Sequence, residues 1–110
     1  MTPSSIRPTL NEEAVLVMDL KSSDGAGGWA AVPVDVETIW MEIRPLSGQE
    51  LARLGLVDTK DAHRARMRYR DDITRDWRVR RTRDNKEFEI SAPPREIVRG
   101  RWIELDLVGH

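Results

Sequence analysis

The chain of 110 residues contains no cysteine. That excludes disulfides, thiolate metal sites and thiol nucleophiles, and nothing in it needs an oxidising compartment. Aromatics are scarce: four Trp, one Tyr and one Phe. A surface that stacks many nucleobases is hard to build from so few. Only two histidines occur, His63 and His110, and neither has a histidine or cysteine at ligand spacing, so the sequence offers no metal site. One isolated general base beside no nucleophile motif is likewise a poor start for catalysis, and Asp71-Asp72 reads as a solvated turn. No apolar run approaches the roughly 20 residues of a membrane helix. The stretch Met1–Leu20 carries Glu12, Glu13 and Asp19 where a secretory signal would be apolar. A cytosolic product without a membrane partner is the expectation.

What is present is a heavily charged globular composition, 39% hydrophobic and 34% charged, sized for one domain spanning 1–110. Net charge is −1, unevenly spread. Met1–Ala62 holds 5 Lys/Arg against 10 Asp/Glu, whereas His63–His110 holds 13 against 9. Arg64–Arg83 alone has nine arginines and no lysine.

Periodicity predicts a mainly β chain. Ala14–Leu20 is a short apolar run suited to a strand buried on both faces. Residues 1–12 before it form an N-terminal arm. Lys21–Asp35, rich in glycine and turn formers, reads as a long loop, and long loops in small domains are more often functional than accidental. Its three glycines lack the Lys-Ser/Thr of a phosphate loop. Thr38–Arg44 alternates Ile39, Met41 and Ile43 with Trp40, Glu42 and Arg44, and Pro45 ends it. Ser47 and Glu50 have capping-box spacing for a short helix to Leu54, with Leu51, Leu54 and Leu56 on one side and Gly55 as its stop. Further strands follow at Ala62–Arg70, Trp77–Arg80, Glu87–Ile90 and Arg101–Leu107, with Asp84-Asn85-Lys86 as a hairpin turn and Ala92-Pro93-Pro94 as an interruption. About six strands and one short helix describe a small barrel or sandwich.

The alternation along Ala62–Arg70 sets Ala65, Met67 and Tyr69 on an apolar face. Arg64, Arg66, Arg68 and Arg70 take the other, joined by Arg78 and Arg80 from what reads as the neighbouring strand. Tyr69 and Phe88 are expected in the core. Three readings of the arginine face stay open: a solvated face that discourages edge aggregation, a protein interface, or contact with phosphate, for which the guanidinium fork is suited.

Three segments in this order carry a resemblance. They are Ile39-Trp40-Met41-Glu42-Ile43-Arg44-Pro45-Leu46-Ser47-Gly48-Gln49-Glu50, then Ala62-His63-Arg64 leading to Arg68-Tyr69-Arg70, then Arg83-Asp84-Asn85-Lys86-Glu87-Phe88-Glu89-Ile90. Together, over residues 13 to 107, the chain resembles the phage head-tail joining family, also called head closure or stopper proteins. It departs from the family at Pro33, where relatives carry a second aromatic, and at Glu13-Ala14-Val15, where they begin with His-Arg.

The resemblance implies a structural protein without cofactor or catalysis. Its members are small β-barrels that form a homo-oligomeric ring, here a hexamer or dodecamer. The ring sits between a portal-side adaptor and the tail or tail-terminator protein, in a phage or gene-transfer particle assembled in the host cytoplasm. It closes the DNA channel and presents the docking surface for the tail. The gate or inter-ring contact falls on Asp24, Gly25, Gly27, Gly28 and Trp29 of the long loop. The subunit or adaptor interface falls on Ser47 and Glu50 of the helix and on Arg64, Arg66, Arg68, Arg70, Arg78 and Arg80, which would meet acids such as Glu12, Glu13, Asp35 or Glu37. Its rival is a small barrel that binds single-stranded nucleic acid through Arg64–Arg80.

Overall fold

The alternating strands bury their apolar side chains by closing into a ring around one interior. The computed structural model describes residues 8–23, 25–53, 55 and 61–109. β1 (Glu12–Ser23) and β2 (Trp29–Pro45) form a hairpin, followed by a single helical turn and a half, α1 (Gly48–Arg53). Then come β3 (Ala62–Arg68), β4 (Arg78–Arg81), β5 (Lys86–Ile90), β6 (Arg95–Val98) and β7 (Trp102–Gly109). The sheet is antiparallel, in the order β3-β2-β1-β4-β5-β7-β6, and β3 also pairs with β7, so six strands form a closed ring. One edge of β7 is taken by β3 from Trp102 to Val108. Its other edge is shared between β6, near Trp102–Glu104, and β5, at Leu107–Gly109.

The fold is of the mainly β, barrel-like class with one short helix. Among the described residues it has seven strands where the sequence predicts six. Arg95–Val98 is the extra one, and the preceding Pro93-Pro94 pair masks it. Leu16, Met41, Met67, Val79, Phe88, Leu105 and Leu107 fill the ring and are almost fully buried, with Ile73 and Trp77 closing it from the 71–77 segment. Each such side chain stabilises the fold by roughly 1.5–3 kcal/mol through burial. A bulge leaves Val36 unpaired between the pairs Leu16↔Glu37 and Val17↔Asp35, where the strand pair bends out of the ring.

Two sequence expectations are corrected. Lys21–Asp35 is not a loop: β1 runs on to Ser23 and β2 begins at Trp29, in register from Ser23↔Trp29 to Val17↔Asp35. Pro33 is tolerated because β2 is an edge there, joined by β3 only from Glu42 onward. Beyond Met18 and Val34 this hairpin has no third strand among the described residues, and its outer part is exposed on both faces. The Ala14–Leu20 run is therefore buried only where it belongs to the ring, and Leu20 is exposed. The arm accounts for the elongated shape, 58 × 32 × 25 Å with a radius of gyration of 15.4 Å, against about 13 Å for a compact chain of this length. The second correction is that β4 lies between β1 and β5, not beside β3. Arg78 and Arg80 therefore do not continue the face carrying Arg64–Arg70.

Candidate assembly surfaces

The hairpin arm ends in a turn in which Gly25 and Gly27 adopt φ of 80° and 86°, a region open to glycine at little cost. Gly28 is part of the same turn, while Asp24 lies outside the described residues. Trp29 is 73% exposed, and Leu20 and Val32, which face each other across the arm, are 48% and 44% exposed. Leu20 and Val32 share one face of the ribbon and Trp29, three residues away, points to the other, and neither side has anything to pack on among the described residues. The arm's base is held to the ring by β4. The Arg78 guanidinium donates to Asp19 at 2.5 Å, and Arg80 makes a two-pronged bond to Asp35 at 2.8 and 3.2 Å. The Arg80 bond holds the Asp35 carboxyl below its usual range. Sequence reasoning named these arginines but not this job. The signal lies in the pairing of β1 with β4, which no local pattern encodes.

The helix is capped as its sequence predicts. Ser47 Oγ accepts the Glu50 N–H at 3.2 Å, and Glu50 Oε1 accepts the Ser47 N–H at 3.2 Å. Gly55, with φ 72°, donates its N–H to the Ala52 carbonyl at the far end. Helix α1 spans Gly48–Arg53, and Leu54 and Leu56 lie outside the described residues. Glu50 also accepts a fork of bonds from Arg44 at 3.0 and 3.1 Å, with Arg64 at 3.7 Å. The Arg44 fork, aided by the Ser47 N–H, lowers the Glu50 pKa to about 2.

Along β3 the arginines project outward, yet most are neutralised within the chain. Arg64 reaches Asp106 at 3.2 Å and Glu104 at 3.6 Å; Arg66 reaches Glu104 at 3.0 Å. From the other side of β7, Arg95 bonds Glu104 at 2.7 Å and Asp106 at 2.9 Å. Glu104 is buried, which pushes its pKa up, but the bonds from Arg95 and Arg66 outweigh this and the net shift is downward. Arg70 pairs with Glu37 at 2.6 Å and Asp72 at 2.8 Å. Arg68 differs: its guanidinium lies over the Trp102 ring, 5.4 Å from the centroid.

Tyr69, expected inside, is 40% exposed, because β3 ends at Arg68 and the chain leaves the ring there. With Trp40, 53% exposed, it borders a groove of about 440 Å³ that also involves Leu10, Ile39 and Met67. Phe88 is in the core as expected, with His63 edge-on at 4.9 Å. His63 Nδ1 lies 3.3 Å from Asp61 Oδ1 but not in hydrogen-bond geometry. Among the described residues no group of three His, Asp or Glu is placed to hold a metal.

The described residues form a closed β ring with a projecting arm and a surface on which most arginines are paired with acids. The sequence model of the phage head completion protein family matches residues 7–108, and the chain belongs to that family. Solved structures share the fold, among them the following two. The solution structure of protein SF1141 from Shigella flexneri 2a superposes with a TM-score of 0.78 at 18% identity, covering 91% of this chain and 92% of that one. A chain in the virion of a native gene transfer agent particle superposes with a TM-score of 0.71 at 20% identity, covering 94% and 98%. No curated protein matches the sequence. The chain is thus a structural protein of the phage head-tail region, of the kind used in head completion and virion assembly.

Proposed function

We propose that the chain is a head-closure connector: a homo-oligomeric ring, hexameric or dodecameric, between a portal-side adaptor and the tail proteins. There it closes the DNA channel and offers the surface to which the tail docks. The observation that carries this reading is the arm. A two-stranded hairpin alone is marginal in water. This one exposes Leu20, Trp29 and Val32 while its base is clamped through Asp19 and Asp35, as befits a part that finds its packing in a neighbouring molecule. Its tip, Gly25 to Trp29 with Asp24, is the gate or inter-ring contact.

The second interface comprises Ser47 and Glu50 of α1 and the arginines of β3 and β4. Their carboxylate partners Asp35 and Glu37 keep about half their side chains exposed (59% and 52%), so a neighbour would meet paired charges. Rings require such heterologous contacts, one patch against a different one. The full-length likeness to a chain of a gene transfer agent virion supports a place inside a particle, phage or phage-like, assembled in the bacterial cytoplasm. The role needs no catalysis.

Deleting the gene in the producing strain and imaging the particles tests the reading. Heads that leak or retain DNA beside free tails are expected; normal tailed particles would refute it.

A further inference from the structure

The arginines among the described residues fall into two groups. Arg44, Arg64, Arg66, Arg70, Arg78, Arg80, Arg81, Arg83 and Arg95 each have a carboxylate within ion-pair distance. Arg53, Arg68, Arg75, Arg99 and Arg101 are exposed and have none among the described residues. The fold places Arg68, Arg99 and Arg101 at one end of the ring, while Arg53 lies on α1 and Arg75 in the 71–77 segment. Arg68 sits opposite Trp102 in the β3–β7 register, and the Tyr69 N–H donates to the Arg101 carbonyl at 2.8 Å. A tight turn, closed by the Arg101 N–H on the Val98 carbonyl at 2.9 Å, carries Arg99. The acid of that turn, Glu96, spends an oxygen on the Gly100 N–H at 3.2 Å. The Trp102 ring under Arg68 orients its guanidinium without using any of its N–H donors.

We propose that Arg68, Arg99 and Arg101 form a phosphate-contacting patch for duplex DNA, distinct from the neutralised arginine faces. The choice of DNA rests on the connector reading, which brings packaged DNA past the chain. The choice of phosphate rests on chemistry: three free guanidinium forks, each suited to two-pronged bonding of phosphate oxygens, on a surface where most other arginines have been matched to acids. Three contacts per subunit form a weak grip. With each neutralised phosphate contributing about −0.9 to the salt slope, the slope is about −2.7, or roughly a 40-fold loss of affinity between 50 and 200 mM salt. A grip of this kind steadies DNA in a closed channel and still lets it leave.

Fluorescence anisotropy of a labelled DNA duplex with the purified full-length protein tests the patch. Binding at low salt with that slope is expected for the wild type. The triple variant Arg68→Ala/Arg99→Ala/Arg101→Ala should lose it while melting normally. Arg99→Lys/Arg101→Lys should retain the salt slope, since charge is kept. Arg83→Ala, an exposed cation in the β4–β5 turn at the opposite end of β7, should bind as wild type. Absence of binding by the wild type at low salt, or a triple variant that binds unchanged, overturns the patch. A triple variant that keeps its DNA affinity but fails to join tails when supplied to deletion particles also overturns it, in favour of a protein partner. None of these outcomes touches the connector reading, which stands or falls on the particles made without the gene.

Discussion

Glu50 shows how much one residue of this surface carries. Its carboxylate closes the capping box with Ser47 and holds the Arg44 fork, tying α1 back to the end of β2. Because its folded-state pKa is depressed to about 2 from the usual 4.5, the stabilisation it provides is fully present above pH 4.5. It is lost as the pH falls toward 2. Thermal melts of wild type and Glu50→Gln should therefore differ near neutrality and converge at about pH 2. Ser47→Ala, which removes only the hydroxyl acceptor, should cost about 1 kcal/mol by the same measurement. The cap was legible in the sequence because its partners are three residues apart. The Arg44–Glu50 fork, six apart and across a proline turn, was not, since it depends on how α1 folds back.

Among the elements, the arm separates from the ring in both energetics and role. Its outer residues are exposed, so they add little to the buried core. Replacing Leu20–Val32 with a two-residue Asn-Gly turn should leave the melt within about 1 kcal/mol of wild type, since an isolated two-stranded ribbon contributes little stability of its own. The same replacement should abolish tail joining when it complements a deletion strain. A large loss of stability would mean the arm is part of the fold instead. The sequence reading of this segment failed for a specific reason. Gly25, Gly27, Gly28 and Pro33 look like one continuous break, but the glycines occupy only the turn and Pro33 sits on an unpaired edge. Elements whose two faces differ, such as β3 and β7, were legible because the ring enforces a period of two. β6 was not, since its burial pattern is weak and its register to β7 shifts between Glu96 and Val98.

For the whole molecule, the uneven charge of the sequence is resolved by topology. The acidic first half and basic second half meet inside one chain, through Arg78–Asp19, Arg80–Asp35, Arg70–Glu37 and Arg83–Glu12 at 2.5 to 3.2 Å, and through the pair Lys86–Asp61. The sequence held both members of each pair but not the long-range strand pairing that joins them, so a stripe that read as free cation is largely spent. Exposed ion pairs of this kind contribute little each, and a neighbouring subunit gains little Coulomb energy from approaching them. Apart from the free arginines, what remains unpartnered at the surface of the arm is apolar: Trp29, Leu20 and Val32. Association between copies should then depend on the arm more than on charge. Sedimentation velocity of the purified protein should show oligomers that persist in about 0.5 M salt, where screening reaches within a few Å. Trp29→Ala should shift them toward monomer, since it removes the most exposed aromatic. Oligomers that dissolve in salt while Trp29→Ala leaves them intact would return the ring contact to the arginine faces.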